Sequence, residues 1–379
     1  MKIRCAKIFI VEIPYKSHYK TSTNITPVGR HVVVRLECED GTVGWGETGI
    51  ISRRYPAQGD SPESIFCILK EYLCPFIIGE NPLQPEVIMS KLDILIRGHY
   101  FAKCAIDHAL LDLQGKILDV SVSILLGGAY HYRYPVSRSL PLASPDEVAH
   151  RASILRDQGY TRLTLKGAGN KKQDFLCFQA VRKILGSDFE LEIDPNGAYD
   201  APTAIQFLNM LEELGVYAVE QPTPGDDIRA LAEVKSKINI PVIADESIFT
   251  KKDLRDIVDH DAANVVCLKP FKSGGILASR KLQVVAECFG LGVSIGSMHP
   301  FGIGTAALHH FAAGIPNLVT AGYGSPYERF IDDITDETCY DFKDGVVTIS
   351  TDRAGLGVVV NEKKLKKYSS ASTLIENYK

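Results

Sequence analysis

The sequence predicts an α/β protein built on a (β/α)8 barrel, preceded by a smaller α+β module. Three observations predict it. Eight short β-rich runs recur between residues 136 and 324, starting roughly 20 to 30 residues apart. Helix-like segments such as SPDEVAHRASILRDQG and APTAIQFLNMLEELG lie between them. Polar residues cluster at the same end of the runs, which a doubly wound open sheet does not explain.

Taken in order, the chain starts with an apolar patch, Ile8 to Val11, broken by Glu12. It has no small-residue cleavage site and is not read as a signal peptide. His31 to Cys38 alternates as a strand, Asp40-Gly41 makes a tight turn, and Thr42 to Trp45 is the return strand. Gly44-Trp45-Gly46-Glu47-Thr48-Gly49 matches the spacing of a dinucleotide-binding turn. That motif requires a helix next, and Ser52-Arg53-Arg54-Tyr55-Pro56 stands there instead, so a nucleotide role is set aside. From Ser61 to about Gly128 the period is helical, in SPESIFCILKEYL, PEVIMSKLDILI and AKCAIDHALLDLQGKIL. The barrel runs follow: Val136–Leu140, Arg162–Lys166, Leu191–Asn196, Ala218–Pro222, Ile243–Ser247, Val265–Pro270, Val293–Pro300 and Leu318–Gly324. The tail from Tyr340 alternates again (DGVVTIS, GLGVVV) and is expected to pack back onto the first module. The expected domains are therefore 1–128 completed by 340–379, and 129–339.

Composition narrows the function classes. With 379 residues, 45% of them hydrophobic, the chain has enough apolar material for a large core. A net charge of −4 with scattered lysines and arginines argues against nucleic acid or an anionic membrane as partner. No run approaches the ~18 apolar residues of a membrane span. Nine cysteines without a Cys-x-x-Cys pair read as free thiols, and the expected location is cytoplasmic.

Catalytic groups of such a barrel sit at the C-terminal ends of its strands. Those ends carry Thr164 and Lys166, Asp194 and Asn196, Glu220, Asp245, Lys269 and His299. Alternation puts Thr164 with Lys166, and Asp194 with Asn196, on one face each. Three successive strands end in an acid, in EIDPN, VEQP and ADES, and neighbouring strands lie about 4.8 Å apart. Three converging carboxylates repel unless a cation joins them, and an all-oxygen set selects a hard ion, Mg2+ first with Mn2+ also possible. Glu246, adjacent to Asp245, could replace it as the third ligand. Lys166 and Lys269 end the second and sixth strands and so face each other across the mouth. A cation beside a lysine lowers its pKa toward that of a useful base.

This constellation resembles the enolase superfamily, in its muconate-lactonizing-enzyme-like branch. The resemblance covers nearly the whole chain through DGTVGWGE, AIDHALLDLQGK, DPNGAY, VEQP, ADES, LKPFKSGG and DGVVTISTDRAGLGV. It implies a TIM barrel with an α+β capping domain formed by the N-terminal region and the C-terminal tail. It implies one Mg2+ per subunit on Asp194, Glu220 and Asp245, with acid/base roles for Lys166 and Lys269. The implied chemistry is removal of the proton α to a substrate carboxylate through a metal-stabilised enediolate. Epimerisation, racemisation or cycloisomerisation of a small carboxylate, such as an amino-acid derivative, would follow. Relatives are commonly homo-oligomers.

Two departures stand out. The family usually shows Lys-x-Lys where this chain has Thr164-Leu165-Lys166. Many relatives carry Met-x-Glu-Ser on the seventh strand, where this chain reads Met298-His299-Pro300-Phe301. His299 then reads as a packing imidazole, a substrate ligand, or a general acid for a leaving group; the last would make the enzyme a dehydratase. Strand eight, VTAGYGSPY, lacks the Asp-x-Asp that resembles ammonium recognition in dipeptide epimerases. Specificity is expected from the loops Ser17–Pro27 and Gly49–Asp60, with Lys20, Thr21, Thr23 and Tyr55 within reach of a substrate. A Schiff-base aldolase on Lys269 and a non-catalytic barrel are the remaining readings.

Overall fold

The computed structural model describes residues 1–20, 25–49 and 60–376. The fold opens with a meander of β1 (Ile3–Lys20), β2 (Ile25–Cys38) and β3 (Val43–Gly49). Asp40 accepts the Thr42 N–H (3.0 Å) in the β2–β3 turn, and Gly41 supplies a φ of 88° there. Helices follow: α1 (Pro62–Ile68), a π-helical turn, α2 (Cys74–Ile77), α3 (Pro85–Leu95), α4 (Tyr100–Leu118) and α5 (Val122–Leu125). The glycine-rich stretch 44–49 is the body of β3, an arrangement that offers no nucleotide loop. A Cβ at Gly46 would lie 1.9 Å from the Ala105 carbonyl oxygen, so glycine is what lets α4 press onto this sheet.

Next come β4 (Arg133–Pro135), β5 (Arg138–Leu140), α6 (Pro145–Asp157), β6 (Arg162–Lys166), α7 (Lys171–Leu185), β7 (Glu190–Asp194), α8 (Ala201–Glu212) and β8 (Val219–Glu220). The alternation continues with α9 (Ile228–Lys237), β9 (Val242–Ala244), α10 (Lys251–Asp259), β10 (Val265–Leu268), α11 (Pro270–Ser273), α12 (Ile276–Cys288), β11 (Gly292–Ile295), α13 (Gly302–Ala313) and β12 (Leu318–Ala321). Strands β5 to β12 form one eight-stranded sheet in sequence order, and the pairs between them are parallel. A parallel bridge between Val136 and Ala321 joins the first and last staves, curling the sheet into a barrel. Ser144, Asn170, Asp200, Asp227 and Thr250 cap α6 to α10 with their side chains.

The chain closes with β13 (Thr335–Glu337), β14 (Tyr340–Lys343), β15 (Val346–Ile349), β16 (Val359–Val360), α14 (Glu362–Tyr368) and β17 (Ser369–Glu376). β17 pairs antiparallel with β1, completing the order β17-β1-β2-β3, whereas β15 pairs with β14 on one side and β4 on the other. The terminal strands escape the alternation pattern for opposite reasons. Ala6 and Ile8 to Val11 of β1 are buried on successive positions, and β17 is a largely polar edge. All nine cysteines are free. Among the described residues, no helix is long and apolar enough to cross a membrane.

Candidate active site

One cavity at the C-terminal end of the barrel is lined by Thr164, Lys166, Asp194, Asn196, Glu220, Lys269 and His299, together with Arg329. Asp245 stands at its wall as the residue after β9, ion-paired to Lys269. Thr21, Thr23 and Tyr55 lie outside the described residues, as does the side chain of Lys20.

Each strand end is held by local chemistry. Asn196, Gln221 and His299 occupy left-handed φ values of 48°, 40° and 52°, so three of the site-bearing turns carry strained backbone. Asn196 donates its N–H to Asp194 Oδ1 (2.8 Å) and its Nδ2 to Asp194 Oδ2 (3.0 Å) and to Glu246 Oε1 (3.1 Å). The Gln221 amide oxygen accepts the N–H groups of Asp245 (2.9 Å) and Ser247 (3.1 Å), stitching the end of β8 to that of β9.

The carboxylates and lysines interlock. Lys166 donates to Asp194, Lys269 donates to Asp245, and the two ion pairs flank Glu220. Lys272 adds a second ammonium to Asp245, 2.6 Å from Oδ1. Burial, with repulsion from Asp194 and Asp245, pushes the Glu220 carboxyl well above the usual range. Asp245 moves the other way: burial opposes its charge, but Lys269 and Lys272 pull it well below a normal aspartate. Glu246 rises to about 7, through burial and then repulsion from Asp245 and Asp194. Burial raises Glu192 to about 6.

These groups fit a hard divalent cation. Asp194, Glu220, Asp245, Glu246 and Glu192 face Lys166, Lys269 and Lys272, with the Arg162 guanidinium 3.8 Å from Glu192, leaving an excess of negative charge in a buried place. The buried Glu246 Oε2 has no hydrogen-bond partner. Donor atoms of Glu220, Asp245 and Cys267 lie within 4.8 Å of one another, while Asp194 meets Lys166 and Asn196. Burial raises the Cys267 thiol well above its usual range, and the other donors of the set are carboxylate oxygens, which suit a hard ion. Of the two adjacent acids, Asp245 stands with Glu220 and Glu246 turns one oxygen to Asn196.

The two departures have clear settings. Thr164 donates to Glu192 Oε2 (3.1 Å) and shares a hydrogen bond with Ser137 (2.9 Å), forming a polar layer below Lys166. His299 is 5% exposed, stacked near Tyr323 (ring centroids 5.9 Å apart) and edge-on to Tyr15 (6.4 Å). Burial and the Arg329 charge push it well below a normal histidine, toward the neutral imidazole. Sequence reasoning missed Glu192, Cys267, Lys272 and Arg329. The first two repeat the inward face two residues before Asp194 and Lys269, a signal available from alternation alone.

The sequence matches the family described as "Mandelate racemase / muconate lactonizing enzyme, N-terminal domain" over residues 5–127, and "Enolase C-terminal domain-like" over 147–364. It is 32% identical over 368 residues to an N-succinyl-L-Arg/Lys racemase of Bacillus cereus, covering 97% of this chain and 98% of that one. The crystal structure of the N-succinyl Arg/Lys racemase superposes with a TM-score of 0.95 at 30% identity, covering 99% of this chain and 100% of that one. A chloromuconate cycloisomerase of Cupriavidus pinatubonensis is 33% identical over 347 residues, 90% of this chain and 92% of that one. A dipeptide epimerase from Cytophaga hutchinsonii, solved with Mg and the dipeptide D-Ala-L-Val, shares the fold at a TM-score of 0.92 and 24% identity, covering 99% of this chain and 100% of that one. The chain belongs to the mandelate racemase/muconate lactonizing enzyme family of the enolase superfamily, in its branch of racemases, epimerases and cycloisomerases.

Proposed function

We propose that the protein abstracts the proton α to the carboxylate of a small substrate and isomerises it by racemisation or epimerisation, with cycloisomerisation the variant of the same half-reaction. The observation that carries this reading is the placement of Lys166 and Lys269 on either side of Glu220, each ion-paired to a neighbouring carboxylate in one cavity. Held by Asp194, Glu220 and Asp245, Mg2+ would bind the substrate carboxylate and offset the negative charge that develops as the α-proton leaves. One lysine, as the amine, takes the proton from one face; the other, as the ammonium, returns a proton to the opposite face. Asn196 and Lys272 keep the carboxylates oriented, and the buried setting strengthens every charge interaction. The N-succinyl racemase supports an N-acyl amino acid as the substrate class.

The neutral setting of His299 favours isomerisation over dehydration, which needs an acid at that place. A Schiff base on Lys269 would leave the buried carboxylates Asp194, Glu220 and Asp245 without a role, which disfavours that reading. The same reading takes 1–128 with 340–379 as the cap and 129–339 as the catalytic barrel, supported by the pairing of β17 with β1.

The experiment is α-proton exchange in D2O with a panel of N-acyl amino acids and other carboxylates. Exchange should require Mg2+ and stop with a chelator. Lys166→Ala and Lys269→Ala should each abolish exchange from one enantiomer only. Full exchange by an Asp194→Ala protein would overturn the metal-assisted scheme.

A further inference from the structure

The two lysines are held by different parts of the molecule. After β6, the turn that follows Lys166 is fixed from within the barrel: Asp174 of α7 accepts the N–H groups of Ala168 (3.0 Å) and Gly169 (3.1 Å). The turn that follows Lys269 is fixed from α4, outside the barrel. Asp107 of α4 is fully buried, and its carboxylate accepts the N–H groups of Ile276 (2.7 Å) and Leu277 (3.2 Å), the first residues of α12. The N-cap of α12 is Gly275, which has no side chain to do this. Gly275 stands at φ 115°, and a Cβ there would lie 2.2 Å from Asp107 Cγ, so the contact exists only with glycine.

The segment between is one compact turn. Lys272 N–H donates to the Lys269 carbonyl (3.0 Å) and Gly275 N–H to that of Pro270 (2.8 Å). Phe271 is fully buried and meets the ring of His108, the next residue of α4, at 5.7 Å between centroids. On the other side of the same turn, Lys269 and Lys272 both reach Asp245. A shift of the turn therefore moves both ammonium groups against Asp245 and leaves Lys166 in place.

We propose that Asp107 is a positioning residue for Lys269: the helix before the barrel sets one acid/base lysine while the barrel sets the other. This rests on the reading of Lys166 and Lys269 as the two acid/base groups. Asp107→Asn keeps the shape but turns an N–H2 toward a backbone N–H. Asp112→Asn is the control, because Asp112 lies on the same helix and accepts the Trp45 and Leu356 N–H groups (2.8 Å each), away from the Lys269 turn.

The test measures α-proton exchange separately for each enantiomer, with Lys269→Ala assigning the one served by Lys269. Asp107→Asn should slow that enantiomer about tenfold more than the other, since small misplacements weigh heavily on proton transfer. Asp112→Asn should affect both alike. Amide exchange followed by mass spectrometry supplies a readout independent of turnover: Asp107→Asn should lose protection over 270–280 and keep it over 162–169. Equal slowing of both enantiomers, or unchanged protection over 270–280, overturns the proposal. A wild-type protein that exchanges neither enantiomer instead overturns the acid/base reading, and with it the role of Asp107 toward Lys269.

Discussion

Lys272 holds Asp245 at two points, its ammonium 2.6 Å from Oδ1 and 2.5 Å from the carbonyl oxygen of the same residue. Both side chains are buried, and the Phe249 ring lies 5.0 Å from the ammonium. Oδ2 is thereby turned toward Lys269. Lys272→Met removes the anchor and a buried positive charge, and is expected to lower stability by about 1–3 kcal/mol. Added Mg2+ should raise the Tm of this variant more than that of the wild type, because a divalent cation makes up the missing charge. Thermal melts with and without Mg2+ check this; equal shifts would refute it.

Glu47 extends the same logic to the seventh strand. Its buried carboxylate accepts the N–H groups of Phe301 (2.6 Å) and Gly304 (2.7 Å) at the start of α13 and meets His31 Nδ1 at 2.7 Å. Glu47→Gln sets an amide N–H2 against one of these donors and should lower stability by about 1–3 kcal/mol. Denaturant titration measures the loss, and Glu47→Ala should lose more.

Thr164 and Glu192 depend on each other. Glu192 Oε1 has no hydrogen-bond partner, and the Arg162 guanidinium is 3.8 Å away. Thr164→Val keeps the volume, removes a donor to Oε2, and should lower stability by about 1–2 kcal/mol. Thr164→Ser should restore most of the loss in the same melts. A valine variant as stable as the wild type would contradict this account.

Acid should destabilise the fold through histidines that are buried neutral. Burial lowers His309 and His310 to about 4. His310 Nδ1 accepts the Ser123 N–H (3.2 Å), a place where a ring proton would face a donor. The unfolded chain takes up these protons near pH 6.5, so the stability is fully present above that pH and lost as pH falls toward 4. Each histidine accounts for up to about 3 kcal/mol across that window. Calorimetry at pH 7, 6 and 5 should show a shallower decline for His310→Asn than for the wild type, although the variant starts less stable.

Much of this site was legible before any coordinates. The eight staves follow from β-rich runs with helical segments between them, and Lys166, Asp194, Glu220, Asp245 and Lys269 follow from reading the last inward residue of each stave. Glu192 and Cys267 sit one inward position deeper and were equally open to that reading. Asp107, Glu47 and Lys272 were not. They act on turns brought to them by the fold: Asp107 is 169 positions from Ile276, and Glu47 is 254 from Phe301. No local period signals such a pair. The Thr164 substitution was visible, but the carboxyl beneath it was not, because Glu192 becomes its neighbour only when β6 and β7 align in register.

The pairing of β1 with β17 also orders events during synthesis. Cys5 to Val11 pair with residues 369 to 376, so almost the entire chain must be made before the outer edge of β1 is covered. Every stave of the barrel lies between those two strands and leaves the ribosome first. Until β17 arrives, β1 presents open backbone donors and acceptors next to a buried apolar face, the kind of edge that draws other chains. Truncation before residue 369 would make that exposure permanent.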